Sequence, residues 1–339
     1  MKAMTLAWLV TVSAFAGSAA VVAQAQGSGA AARVAAAKAA AGDVRGAKVL
    51  FERLCVAPPP IRPAPAAAAG QPAAAPRVPP RAEWYTEPVK VFDNLYFVGE
   101  KEYTSWAVTT SAGIIIIDPL FEYSVEDEVV NGLKTLGLDP TQIKYVLVSH
   151  AHRDHVAGAR LLQERFKARV VLSEADWNLV ETDPGRWPKP TRDIVATDGY
   201  RLTLGDTTLT LHTTPGHTLG TLSTIIPVRD GTRKHVAALW GGTGFNWRSG
   251  SPRYITPDRP ARFWYEQYSN SAKKFRDIAA KAGADIMLSN HPDYDGTDVN
   301  LPLVKARKPG APNPYVIDAE GVSRFLKVAE ECAAAGPLW

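Results

Sequence analysis

Three histidines and one aspartate crowd into the segment His150-Ala-His152-Arg-Asp154-His155. The chain has only seven histidines, so this segment holds nearly half of them. Imidazole and carboxylate are ligands that zinc accepts at neutral pH. Loop residues at i and i+2 turn to one side and can meet one ion. The next pair, Asp154 and His155, can then face a second. Two later histidines extend the pattern. His217 follows a Pro-Gly turn in Thr214-Pro215-Gly216-His217-Thr218, and His291 sits in Ser289-Asn290-His291-Pro292. His212 and His235 lie inside strand-like stretches and read as packing residues.

Metal ligands need stiff supports, and the surrounding sequence supplies them. Tyr145–Val148 reads as a buried strand that delivers His150, and a helix over Leu161–Phe166 follows. Tyr200–Val228 alternates like antiparallel sheet and delivers His217. Ile286–Ser289 reads as the strand before His291. Further strands are expected at Val89–Phe92, Leu95–Val98, Trp106–Thr110, Ile114–Ile117, Val170–Leu172 and His235–Trp240. Ile114–Ile117 is a continuous β-branched run, as suits a strand buried on both faces. Helices are expected over Ser124–Leu136, Arg262–Ala282 and Ala319–Ala335. This strand–loop–helix rhythm predicts an α/β fold, a four-layer αββα sandwich.

The motif His-x-His-x-Asp-His, the later Pro-Gly-His-Thr and the late histidine together resemble the metallo-β-lactamase superfamily. The resemblance runs from about Trp84 to the end of the chain. It is nearest to the β-lactamase subclass whose zinc ligands are histidines and one aspartate (subclass B3-like), which Asp93-Asn-Leu-Tyr-Phe-Val-Gly99, Thr104-Ser-Trp106 and Ser289-Asn-His-Pro292 also resemble. It implies two zinc ions. The first would take His150, His152 and His217, the second Asp154, His155 and His291. It also implies that Asp118, ending the strand Ile114–Ile117, holds the motif loop from behind.

One departure narrows the chemistry. Lactonases, glyoxalase-type thioesterases and many nuclease relatives carry a bridging aspartate after a later strand. Here His235–Trp240 runs into Gly241-Gly242-Thr243-Gly244, with no carboxylate. The implied reaction is hydrolysis of a carbonyl substrate by metal-bound hydroxide, since zinc lowers the pKa of its water to about 7. Asp154 is the expected catalytic group, orienting the nucleophile. A β-lactam-type cyclic amide is the leading substrate class. The alternatives are a lactone or ester hydrolase on the same centre, and a non-catalytic periplasmic zinc- or ligand-binding protein. The serines that grip a lactam carboxylate are not clearly matched. Thr243, Asn246, Trp247 and Tyr254 are the candidate substrate contacts instead. The other aromatics of that region read as core.

Outside the catalytic region, expected over residues 83–339, the chain reads as two leading segments. Residues 1–25 resemble a secretory signal peptide, with an apolar run from Leu6 to Val22 and an Ala23-Gln24-Ala25 cleavage site; a retained anchor is the competing reading. Residues 26–82 form an arm: an Ala/Gly/Gln-rich stretch read as mobile or loosely helical, a helix over Val44–Cys55 capped by Asp43, then a Pro/Ala tract that favours extended geometry. The expected location is periplasmic or secreted, with no stable membrane span after cleavage. In that compartment the only two cysteines, Cys55 and Cys332, invite a disulfide, with two free buried thiols as the alternative. The net charge of +4 over 339 residues is small, and no basic stripe is present, which argues against nucleic acid. The expected partner is a small-molecule substrate, and the oligomeric state is left open.

Overall fold

Apolar alternation and buried β-branched runs resolve into two sheets. A computed structural model of the chain describes residues 29–57, 78–251 and 253–339. The first sheet holds β1 (Val89–Lys90), β2 (Leu95–Phe97), β3 (Trp106–Thr110), β4 (Gly113–Ile117), β5 (Ile143–Leu147), β6 (Arg169–Ser173) and β7 (Ile194–Ala196), side by side in chain order. Its pairing is antiparallel up to β4 and parallel from there on. The second sheet has the order β12-β11-β10-β9-β8. It comprises β8 (Tyr200–Leu204), β9 (Thr207–Thr213), β10 (Leu222–Asp230), β11 (Arg233–Trp240) and β12 (Ile286–Ser289), antiparallel except for the β11–β12 pair.

The isoleucine run of β4 shows why the sheets stack. Ile115 and Ile117 point into the core shared by the two sheets, while Ile114 and Ile116 point into the core beneath the helices. A strand covered on both faces has no polar side to offer, so its sequence does not alternate. The helices are α1 (residues 29–41), α2 (Arg45–Leu54), α3 (Arg81–Trp84), α4 (Asn131–Thr135), α5 (Arg153–Val156), α6 (Ala159–Phe166), α7 (Glu174–Thr182), α8 (Ala261–Ala282), α9 (Pro292–Asp295), α10 (Thr297–Lys305) and α11 (Asp318–Ala335). Helices α4, α6 and α7 cover the first sheet; α8, α11 and α2 cover the second. The result is the four-layer αββα sandwich.

Several elements differ from their sequence-based limits. The helix expected over Ser124–Leu136 opens with a π-helical turn, Glu126–Val130, before α4; Val125, Val129 and Leu133 are buried along it and Leu136 is half-buried. Strand β7 and helices α7, α9 and α10 have short or polar sequences that periodicity does not reveal. The stretch read as mobile or loosely helical is the regular helix α1, because Ala37 and Ala41 dock into the α8–α11 core. Asp43 does not cap α2: Val44 precedes the helix, and the Asp43 carboxylate pairs with Arg324 at 2.9 Å. A disulfide joins Cys55 to Cys332, 277 residues apart. Residues 1–25 and most of the Pro/Ala tract lie outside the described residues. Among the described residues no helix is long and apolar enough to cross a membrane.

Candidate metal centre

The candidate ligands all leave the C-terminal ends of strands. His150 and His152 follow β5, His217 lies between β9 and β10, and His291 follows β12. His152 stands immediately before α5 in extended backbone (φ −76°, ψ 146°), and Asp154 and His155 lie within that helix. Two buried aspartates fix the motif loop. Asp118, at the end of β4, accepts the Ser149 N–H at 2.6 Å and the Ser149 hydroxyl at 2.7 Å. Its backbone is left-handed (φ 56°), an uncommon state for a residue other than glycine. Asp176, on α7, accepts the Ala151 N–H at 2.9 Å, the Thr218 hydroxyl at 2.9 Å and the Gly220 N–H at 3.1 Å. One carboxylate thereby ties the His150 loop to the His217 loop. The sequence reading missed Asp176, since only a helix start marks it.

The six candidates gather as two triads, His150–His152–His217 and Asp154–His155–His291. In the first, His217 Nε2 lies 3.1 Å from both His150 Nε2 and His152 Nδ1. Three imidazole nitrogens facing one point cannot all be protonated, and burial together with the neighbouring imidazoles holds the His150 and His217 pKa values well below the ordinary value. Burial likewise moves His152 down to about 4, against the pull of Asp154. Neutral imidazoles with converging lone pairs suit a cation. In the second triad, His155 Nε2 is 3.1 Å from Asp154 Oδ2, and His291 Nε2 is 4.0 Å from the same oxygen. His155 is completely buried, yet neither ring nitrogen makes a well-formed hydrogen bond, although Nδ1 lies 3.3 Å from Asp118. Such an orphaned buried nitrogen is costly unless something else occupies its lone pair. Burial opposes charge on His155, but Asp154 and Asp118 outweigh it and raise its pKa to about 10. Burial opposes charge on Asp154 too, and His155 and His152 more than compensate, keeping it an anion. The residues present fit a two-ion centre.

In the other four histidines the outward nitrogen finds its own partner. His150 Nδ1 lies 2.8 Å from Gly241 O, His217 Nδ1 2.8 Å from Gly244 O, His291 Nδ1 2.9 Å from Glu102 O, and His152 Nε2 2.6 Å from the Tyr254 hydroxyl. These contacts select the tautomer that points the other nitrogen inward. They also explain the double glycine after β11. A Cβ on Gly241 would sit 2.0 Å from Leu222 O, and one on Gly242 would sit 2.4 Å from the His217 Cβ.

A family model for the metallo-beta-lactamase superfamily matches residues 98–230. Two solved structures share the fold over most of their length. The metallo-β-lactamase FEZ-1 of Legionella gormanii aligns with a TM-score of 0.62 and 27% identity, covering 72% of this chain and 92% of that one. BJP-1 of Bradyrhizobium japonicum, a subclass B3 metallo-β-lactamase, aligns at 0.58 and 28%, covering 72% and 91%. Residues 98–230 belong to the metallo-β-lactamase superfamily, within the fold that these two enzymes share. Among curated proteins the chain is similar to a hydroxyacylglutathione hydrolase of Mesorhizobium japonicum, 32% identical over 34% of this chain and 43% of the relative. The match therefore spans under half the length of that relative.

The superfamily fold brings together all six sequence-predicted ligand candidates and places Asp118 directly behind them. The substrate-contact candidates separate. Asn246 Nδ2 is 3.2 Å from His217 Nε2, and Tyr254 meets His152, so both border the first triad. Trp247 is a correction: it is fully buried, stacked on Trp264 within the α8–α11 core, and cannot wall a pocket. Thr243 is also fully buried, its hydroxyl 3.3 Å from Asn290 Oδ1, and supports the β12 loop rather than facing a substrate. His235 pairs with Asp285 at 2.5 Å, away from both triads.

Proposed function

We propose that this protein is an exported two-zinc hydrolase that opens a β-lactam-type cyclic amide. The observation that carries the proposal is the pair of His/Asp triads with glycine backbone, not a carboxylate, where β11 meets the site. Zinc at such a site acidifies water to a pKa of about 7 and polarises a carbonyl oxygen. His150, His152 and His217 would hold one ion; Asp154, His155 and His291 would hold the other. The chain's own groups then position the substrate. With His152 Nδ1 turned inward, its Nε2–H donates to the Tyr254 oxygen, and Asn246 Nδ2 donates to the same oxygen at 3.4 Å. The Tyr254 hydroxyl hydrogen is left free to meet a substrate oxygen. Burial raises the Tyr254 pKa, so that hydrogen is retained at neutral pH. Asp154 stays anionic and keeps one face of the site negative, where it can orient the attacking water. Export is supported by the leader-like residues 1–25 and by the Cys55–Cys332 bond, which suits an oxidising compartment.

A second reading, a thioester or lactone hydrolase, draws on the hydroxyacylglutathione hydrolase relative. The missing bridging carboxylate weighs against it. The deciding assay offers zinc-loaded protein a penicillin, a cephalosporin, a carbapenem, an acyl-homoserine lactone and a hydroxyacylglutathione thioester. We expect kcat/KM for at least one β-lactam to exceed both others by about tenfold or more, and a chelator to abolish it. Faster thioester or lactone cleavage overturns the substrate assignment. No cleavage of any substrate overturns the hydrolase reading.

A further inference from the structure

Tyr254 has a second face. Its hydroxyl meets His152, and the same residue lines a cleft of about 300 Å³ between α7, the loop after His217 and the residues leading into α8. Trp264 packs against Tyr254, with its indole N–H bonded to Tyr254 O at 2.8 Å and the two rings edge-on at 5.6 Å. Leu179 and Leu219 add aliphatic surface. Leu219 is the one exposed residue of the otherwise covered segment 214–222, two positions from His217, and it is 39% exposed. An apolar side chain held open there gives a ligand something to cover.

The rim of the cleft is cationic. Arg253 and Arg259 both line it. Arg253 is paired with Asp183 at 3.2 Å. Arg259 is bonded through its backbone, to the Thr256 hydroxyl and carbonyl, and its guanidinium has no carboxylate partner among the described residues. Asp176, the one carboxylate lining the cleft, is buried and already accepts from Ala151, Thr218 and Gly220. The cleft thus offers an aromatic and aliphatic wall with an unmatched positive charge at its edge.

We propose that this cleft receives a side group of the substrate that is apolar along its length and anionic at its end, a carboxylate or sulfonate on an aryl or alkyl arm. Tyr254 joins the two sites: it faces the reacting bond with its hydroxyl and the side group with its ring. Arg259 supplies the charge-assisted hydrogen bonds to the anion, and Leu219 and Trp264 supply apolar contact. A cationic side group is disfavoured. The inference rests on the hydrolase reading for what the side group is attached to, but the cleft's selectivity is measurable without turnover.

The probes are 8-anilinonaphthalene-1-sulfonate and N-phenyl-1-naphthylamine, nearly the same rings with and without the anion, titrated by fluorescence into the zinc-loaded full chain. The sulfonate should bind wild type about tenfold more tightly than the neutral amine. R259Q should erase that preference while leaving the melting curve unchanged, since the guanidinium holds no structural ion pair. L219S should weaken both probes and keep the preference. An equal preference in wild type and R259Q, or no binding of either probe, overturns the proposal. If the preference stands while no carbonyl substrate is cleaved, the hydrolase reading falls and the cleft does not.

Discussion

A histidine ring has two nitrogens, and the clearest residue-scale evidence for the metal centre is how each ring spends them. Four of the five candidate histidines bind an oxygen of the protein with one nitrogen and point the other at a triad. The motif spacing revealed the inward nitrogens; it could not reveal the outward partners, because three of these are backbone carbonyls that any residue could supply. Asp118 was legible only through the resemblance to the superfamily, whereas Asp176 sits on a helix that the sequence hardly announces. Three residue-scale outcomes follow. Elemental analysis should find two zinc ions per wild-type chain and one in His291→Ala, since only the second triad loses a ligand; two ions in the variant would remove His291 from the centre. Asp154→Asn should fold and lose about two orders of magnitude or more in kcat, because it removes the site's fixed anion. Asp118→Asn should instead weaken zinc binding by about 10–100-fold, as expected when the partner that orients a ligand is lost. A competition titration against a chromogenic chelator separates the two effects.

Among elements, strands with strong patterns were legible and packing-dependent ones were not. β3, β4 and β12 follow their apolar runs to within a residue, because burial on defined faces dictates composition. β7 is three residues long and exists because β6 offers it an edge. The π-helical turn at Glu126–Val130 is equally invisible in the periodicity, yet it buries a carboxylate. Glu128 has no solvent exposure, accepts the Thr86 N–H at 2.9 Å with one oxygen, and leaves the other unpartnered. Burial raises its pKa to about 8, against the pull of the Thr86 hydrogen bond. The sign of the pH effect follows. An unfolded glutamate loses its proton near 4.5, the folded one near 8, so between those values the native state binds more protons than the unfolded state. Stability must therefore fall as pH rises through that window and level off above it. Glu128→Gln keeps the acceptor for Thr86 and removes the ionisation. Denaturant melts at pH 5 and pH 8 should show wild type losing a few kcal/mol that the variant retains. A parallel loss in both proteins would assign the dependence to other groups.

At the scale of the whole molecule, the arm is tied to segments that adjoin two loops of the metal centre. The sequence places the two cysteines on separate helices; it could not show how many further ties the arm makes, since each joins residues far apart in the chain. Arg53 on α2 pairs with Asp293, two residues after His291. Arg248, two residues after Asn246, donates to Leu54 O at 2.9 Å and Val56 O at 2.7 Å, on either side of Cys55. Arg324 on α11 donates to Ala40 O at 2.9 Å. The Cys55–Cys332 bond pins this assembly by closing a loop of nearly the whole domain, which in the chain-entropy account restricts the unfolded chain most when the loop is long. The double variant Cys55→Ser/Cys332→Ser should lose about 2–4 kcal/mol of unfolding free energy, with a melting point lower by roughly 5–10 °C for a domain of this size. Its zinc content should stay at two, because no ligand lies on the arm. Its kcat should fall more steeply than wild type as the temperature approaches the new melting point, because the His291 and Asn246 loops lose their shared anchor. Guanidinium denaturation with and without reductant measures the first effect: reduced wild type should coincide with the double variant. An unchanged midpoint in both would show that the arm's packing alone, and not the covalent bond, holds these loops in place.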